Sequence, residues 1–247
     1  MEISLAAEKI FSIGPIPITN TIFTSWIVTF ILIVFAFTAT RNISQVPKNL
    51  QNFAEFLVES FQDLVSSIAG DKTKVFLPIV GSFFFFILLG NYLGLLPGFG
   101  TIGFFHPPAG GQGKEVFVPF FRSINSDLNT TLALALVSLV ITHFLAIRYL
   151  GFGGYLGKFF SFNPIFLFVG FLEIISEITK VLSLSFRLFG NIYAGEVVLA
   201  TASTRFFAFI VPIPFYFLEL LVGFVQALIF AILTLVFMVI LTTKQSH

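Results

Sequence analysis

Cysteine is absent from the 247 residues, which excludes disulfides and thiolate metal sites. Charge is scarce as well: Asp, Glu, Lys and Arg make up 10% of the chain, against about a quarter in a soluble domain. The 13 basic and 12 acidic residues leave a net charge of +1, so bulk charge gives no argument for nucleic acid. Histidine occurs at three scattered positions that make no metal site. Of these, His143 is expected to face neighbouring helices and His247 to lie in the tail. No phosphate-binding glycine loop of the Walker type is present, so ATP chemistry and cofactors are not expected of this chain. No internal repeat is visible, which weakens a reading as a transporter built from paired halves. The first residues lack the basic start and short apolar run of a cleavable signal peptide, and none is expected.

Apolar residues are what the chain has instead. They make up 57% of it, 37 of them phenylalanine, and the mean hydropathy is +1.00. A soluble fold this apolar would leave large greasy patches in water. The expected fold class is an all-α integral membrane protein in one membrane domain, residues 1–247. Residues 21–41 hold an uncharged run of about twenty, enough at 1.5 Å per residue to span a ~30 Å hydrocarbon core. Residues 47–70 instead place Phe53, Phe56, Leu57, Phe61, Leu64, Val65 and Ile68 at helical spacing, opposite Glu55, Glu59, Gln62, Asp63 and Ser66. This pattern predicts an amphipathic helix on the membrane surface. Its acidic polar face favours contact with a partner over anionic lipid.

Further crossing helices are expected over residues 75–97, 127–150, 164–202 and 205–243. An outer loop rich in Gly and Pro fills residues 98–126, and a glycine-rich turn fills 151–161. Ser126 or Asp127 can cap the helix that follows the loop. The last two segments run about 38 residues each, roughly 57 Å as helix. Either each breaks, or the pair forms a long, steeply tilted hairpin. With the N-terminus outside, Arg41, Lys48, Lys72, Lys74, Arg148, Lys158 and Lys244 fall inside, and Lys9, Lys114, Arg122 and Arg205 outside. Seven against four favours that orientation, with five crossing helices and the C-terminus in the cytoplasm.

Charge within a crossing helix costs about 2.5–3.5 kcal/mol or more per residue, so such residues are functional candidates. Arg187 is the sharpest. It lies deep in the 164–202 segment between small residues Ser183 and Gly190, which let another helix approach closely. Arginine keeps its proton in proteins, so it stands as a permanent charge. At 100° per residue, Lys180 and Asn191 share its face and Glu196 points to the opposite side. Glu173, Glu177 and Lys180 form one polar group toward the inner end. Asn191, Glu196 and Glu219 form another toward the outer end, joined by Gln226, which shares a face with Glu219, and by Asp127. Carboxylates and amides with water can relay protons, and a fixed cation between two such paths blocks a direct leak.

Four stretches then carry a resemblance. Residues 183–196 read Ser-Leu-Ser-Phe-Arg-Leu-Phe-Gly-Asn-Ile-Tyr-Ala-Gly-Glu, and residues 91–97 read Asn-Tyr-Leu-Gly-Leu-Leu-Pro. Residues 127–136 read Asp-Leu-Asn-Thr-Thr-Leu-Ala-Leu-Ala-Leu, and residues 226–230 read Gln-Ala-Leu-Ile-Phe. In this order, along nearly the whole chain, they resemble subunit a of F-type rotary ATP synthases. Length and loop pattern fit the bacterial and chloroplast branch better than the mitochondrial one.

The resemblance implies a non-catalytic, proton-conducting stator subunit. Its partners would be a rotating ring of c subunits, the b subunits of the peripheral stalk and the remaining synthase subunits. The membrane would be a bacterial plasma membrane or, alternatively, a thylakoid membrane. Arg187 matches the arginine that faces the ring and keeps two half-channels apart. Asn191, Glu196, Glu219, Gln226 and Asp127 match positions near the outer path, while Glu173, Glu177 and Lys180 occupy the inner region. Val181 departs from the family, many members of which have Pro after the lysine, so less kinking is expected there.

Three rivals remain beside this reading. A lone channel or secondary transporter explains the buried charges but neither the long hairpin nor the ordered stretches. An intramembrane enzyme could use Ser183 and Lys180, which are i, i+3 neighbours, but Glu177 is placed to pair with that lysine. A structural subunit fits the phenylalanine content.

Overall fold

In lipid every backbone polar group must be satisfied within the segment, so long apolar runs become helices. The computed structural model of the protein describes residues 7–14, 16–48, 50–96, 98–106, 116–159, 164–205 and 212–243. The helices among them are α1 (Asn20–Thr40), α2 (Leu50–Ala69), α3 (Thr73–Gly94), α4 (Leu128–Phe159), α5 (Pro164–Arg205) and α6 (Pro212–Thr242). Four helical stretches among the described residues are long and apolar enough to cross a membrane: Asn20–Thr40, Leu50–Gly94, Leu128–Phe159 and Pro212–Thr242. α5 falls outside that set because it carries Glu173, Glu177, Lys180, Arg187 and Glu196. The chain is a multi-pass helical membrane protein.

The core lies between α3, α4, α5 and α6. Phe76, Val80 and Ile87 of α3 are fully enclosed with Ala135 of α4, Leu188 of α5, and Phe230, Leu235 and Met238 of α6. Buried hydroxyl pairs join the helices: Thr131 to Ser185 at 3.1 Å and Ser138 to Thr234 at 3.0 Å. Such pairs suit a lipid setting, where apolar side chains gain little by leaving the solvent.

α2 is amphipathic as its spacing predicts, but the second half of its apolar face is covered by protein. Phe61 stacks on Phe84 of α3 with ring centroids 4.9 Å apart, and Val65 is fully buried, while Phe53 and Phe56 of the first half stay exposed. A single turn of 3-10 helix, Gly70–Lys72, joins α2 to α3, and Gly70 takes φ +53°, which favours glycine. Glu59, Gln62, Asp63 and Ser66 stay exposed.

Several boundaries differ from expectation. The chain is not wholly helical: two antiparallel hairpins occur, β1 (Lys9–Ile13) with β2 (Ile16–Thr19), and β3 (Gly103–His106) with β4 (Val116–Pro119). The second occupies the expected loop, whose residues 107–115, with Lys114, lie outside the described residues. The expected turn at 151–161 is helical to Phe159, and residues 160–161 lie outside the described residues. Only Gly151 leaves helical geometry, at φ 73° and ψ 161°, so glycine clustering marks one break rather than a loop.

The last two helices are unequal. α5 continues past Ala202 to Arg205, and α6 begins at Pro212, not at Arg205. Proline suits the first helical position because its missing N–H has no partner there anyway. α5 runs 42 residues in one helix through Val181, about 63 Å. α6 runs 31 residues, about 46 Å. Residues 206–211 and the tail with Lys244 and His247 lie outside the described residues.

Candidate functional site

α5 is the spine of the site. Its buried stripe, including Glu177, Val181, Leu184, Ser185, Leu188 and Ile192, packs on α4 and α6. The opposite stripe, with Ser176, Thr179, Ser183, Arg187, Gly190, Asn191 and Ala194, is exposed. That split follows from the 100° helical period predicted for Arg187 and Asn191.

At one end of α5, Lys180 Nζ donates to Glu177 Oε1 at 2.6 Å. Glu177 Oε2 lies 3.7 Å from His143 Nε2 of α4, and His143 Nδ1 lies 3.0 Å from the Tyr155 hydroxyl. Glu173, half-buried, shares this end with Lys158. Lys158 and Lys72 donate to the last carbonyls of α6: Lys158 to Leu241 at 2.8 Å and Lys72 to Thr242 at 2.9 Å.

Midway stands Arg187, whose guanidinium donates to Ser183 Oγ one turn back at 3.1 Å. Among the described residues no carboxylate lies within ion-pair distance of it. It lines an open cavity of about 450 Å³ together with Ser176, Thr179, Lys180, Ser183 and Phe237. The cavity therefore reaches from the Lys180 end of α5 to the arginine.

At the other end, Glu196 pairs with Arg122 Nε at 3.7 Å, both side chains largely buried. Arg122 also donates to Ser126 Oγ at 3.0 Å. The same guanidinium acts on Glu8, ahead of β1, whose carboxyl burial pushes above its ordinary value while Arg122 partly offsets the shift. Glu219 of α6, 3% exposed, shares with Glu196 an enclosed pocket lined also by Asn91, Ser123 and Ile192. Its free space is about 10 Å³, close to what one water needs. Gly195 makes this approach possible, because a Cβ built there would overlap the Glu219 carboxylate. Amides brace the pocket: Asn125 Nδ2 donates to Asn91 Oδ1 at 2.7 Å, and Asn91 Nδ2 to the Gly223 carbonyl at 3.0 Å.

Three expected members of this end stand apart. Gln226 is buried on α6 two turns from Glu219 and does not line the pocket. Asp127 is buried but caps α4: its Oδ1 accepts from the Asn129 backbone N–H at 3.2 Å, and its Oδ2 accepts from the Thr130 and Thr21 hydroxyls. Asn191 sits on the exposed stripe rather than with Glu196.

Glu177 and Glu196 are nineteen residues apart on one helix, about 28 Å, with Arg187 near the midpoint. Sequence reasoning left Arg122 as a loop cation, His143 as a packing residue, and Gly195 and Tyr155 unremarked. Gly195 had a signal, a residue without a side chain beside a buried charge. The partners of Arg122 and His143 come from folding alone.

Known proteins are similar to this sequence. The family model described as ATP synthase A chain matches residues 22–239. "ATP synthase subunit a" of Moorella thermoacetica is 35% identical over 93% of this chain and 93% of its own length. The protein of that name from Syntrophobacter fumaroxidans is 33% identical over 93% of this chain and 87% of its own. That from Gloeobacter violaceus is 37% identical over 91% and 84%. With its helical membrane architecture and a match spanning most of its length, the chain belongs to the ATP synthase A chain family, that of subunit a of F-type ATP synthases.

Proposed function

We propose that this chain is the stationary proton-conducting subunit of a rotary ATP synthase membrane sector, with two offset half-channels separated by Arg187. The family membership makes it a non-catalytic subunit of that complex. The observation that carries the finer reading is Arg187 itself: an exposed guanidinium, halfway along α5, with no carboxylate of the described residues beside it. A lone charge at that depth costs several kcal/mol by the same ~2.5–3.5 kcal/mol scale. A carboxylate arriving from a partner would compensate it.

The c-ring supplies such a carboxylate in this reading. Carried through lipid it must be neutral, because the ionised form is too costly there. Beside Arg187 it ionises, since an opposite charge within about 4–6 Å favours the anion. Protons reach the ring through the outer pocket of Glu196 and Glu219, with Asn191 on the ring-facing stripe, Gln226 deeper on α6, and Asp127 holding the rim by capping α4. They leave through the open cavity between Arg187 and Lys180, next to Glu177 and Glu173. The permanent guanidinium repels a proton moving directly from one path to the other.

The same reading gives five crossing helices, with α2 as the surface helix and α5 and α6 as a tilted hairpin around the ring. The N-terminus is outside and the C-terminus in the cytoplasm of a bacterial plasma membrane. The b subunits of the peripheral stalk hold the chain still.

The absence of cysteine allows a clean test of the ring-facing stripe. Ala194→Cys, paired with a cysteine on the outer helix of the c subunit, forms a disulfide under mild oxidation in membranes. Leu188→Cys, buried in the core, forms none. Crosslinking at Leu188 alone would place the ring on the wrong face of α5.

A further inference from the structure

We propose that His143 is a further proton-carrying residue of the inner half-channel, joining Glu177 to Tyr155 at the bend of α4. The inference rests on the half-channel reading above. In an unbroken helix His143 and Tyr155, twelve positions apart, would be separated by about 18 Å. They meet at 3.0 Å because Gly151 breaks α4 and turns residues 152–159 back along it. The fold thus builds a contact that helical spacing forbids. The ring's other nitrogen faces Glu177 at 3.7 Å, and Glu177 is already joined to Lys180, which lines the cavity that reaches Arg187. Cavity, lysine, carboxylate, imidazole and phenol form one chain of titratable groups.

Among the described residues, the ionisable neighbours of His143 are few. From α4 it meets Tyr155, from α5 Glu177 and, more distantly, Lys180. From α6 no ionisable residue faces it: the charged residue of α6, Glu219, lies at the opposite end. An ionised Glu177 only accepts, so a neutral ring keeps its proton on Nε2 and takes the Tyr155 O–H at Nδ1. During ATP-driven pumping, water on the inner side gives a proton to the Tyr155 oxygen as the phenol passes its own to Nδ1. Nε2 then gives its proton to Glu177 once the two close from 3.7 Å to hydrogen-bond distance. One proton moves, each N–H or O–H broken is matched by one formed, and a return of the ring proton from Nδ1 to Nε2 resets the chain. Synthesis runs the same steps backward. Imidazole suits the task because its charge changes between about pH 5 and pH 8.

The test is passive proton flux through the membrane sector in inverted vesicles stripped of the catalytic sector. It is read from about pH 5.5 to about pH 8.5 on the Tyr155 side, the range in which imidazole titrates. The expected result is that His143→Gln lowers flux at least about tenfold, in line with the loss of a positioned acid–base group. It also flattens the pH profile, which a packing role would leave in shape. Tyr155→Phe removes one hydroxyl and moves flux and profile in the same direction. Should His143→Gln fail to assemble, Tyr155→Phe decides by itself. Wild-type flux with an unchanged profile in whichever variants assemble overturns the inference. Arg187→Ala run in parallel separates the two readings: if it abolishes pumping while His143→Gln conducts normally, only the role of His143 falls. If Arg187→Ala pumps normally, the half-channel reading falls and takes this inference with it.

Discussion

Three charged residues of α5 differ in what stands beside them. Among the described residues, Glu196 has Arg122, Glu177 has Lys180, and Arg187 has a serine hydroxyl and no carboxylate. The first two are internal ion pairs; for the third, the proposed function supplies the ring carboxylate as partner. Glu219 depends on its neighbour in another way, because its carboxylate occupies the space where a side chain on Gly195 would start. Gly195→Ala should therefore push Glu219 out of the shared pocket and lower proton flux by at least about tenfold, in an enzyme that still assembles. Flux in stripped vesicles checks this, and wild-type conduction would show that the pocket is not on the path. The charged residues themselves were legible in the sequence, because charge inside an apolar run stands out. Their pairing was not. Arg122 lies 74 positions from Glu196, and nothing in helical spacing relates the two.

Among the elements, α4 turns on a single residue. Gly151 sits at φ 73° and ψ 161°, backbone that other residues adopt only with strain of order 1–3 kcal/mol. Gly151→Ala should lower the melting temperature of the subunit in detergent and weaken the approach of Tyr155 to His143. An unchanged melting curve would mean the break is not needed.

The C-terminus of α6 is capped twice, by Lys72 and by Lys158, where cations favour the helix dipole. Replacing either by alanine should cost about 0.3–1 kcal/mol and replacing both about the sum, read as a shift in denaturation midpoint. Element existence was readable from apolar runs longer than a bilayer is thick. Element ends were less so. The glycines at 151, 153, 154 and 157 look like a loop, yet only the first departs from the helix because helical packing tolerates the others. Arg205 looks like the start of a new span, but it continues α5, and the prolines at 212 and 214 mark where α6 begins. The hairpin of β3 and β4 had no clear alternation to announce it.

At the scale of the whole molecule, two polar clusters about 28 Å apart share one helix, and a fixed cation divides them. In the proposed mechanism this layout separates two aqueous paths that neither cluster could separate alone. The basic residues of the connections give an expected sidedness. Gln45→Cys, at an exposed position in the connection from α1 to α2, should react with a membrane-impermeant maleimide only from the cytoplasmic face. Ile102→Cys, exposed just ahead of β3, should react only from the outer face. Labelling of both from the same side would contradict the proposed orientation.

The central claim is that Arg187 couples proton flow to the ring, and ATP-driven proton uptake by inverted vesicles tests it most directly. The assembled enzyme with Arg187 is compared with Arg187→Ala, and subunit content and ATP hydrolysis are measured on the same membranes. The alanine enzyme is expected to assemble and hydrolyse ATP but to build no proton gradient. A normal gradient from Arg187→Ala would reduce the arginine to a packing residue and contradict the mechanism.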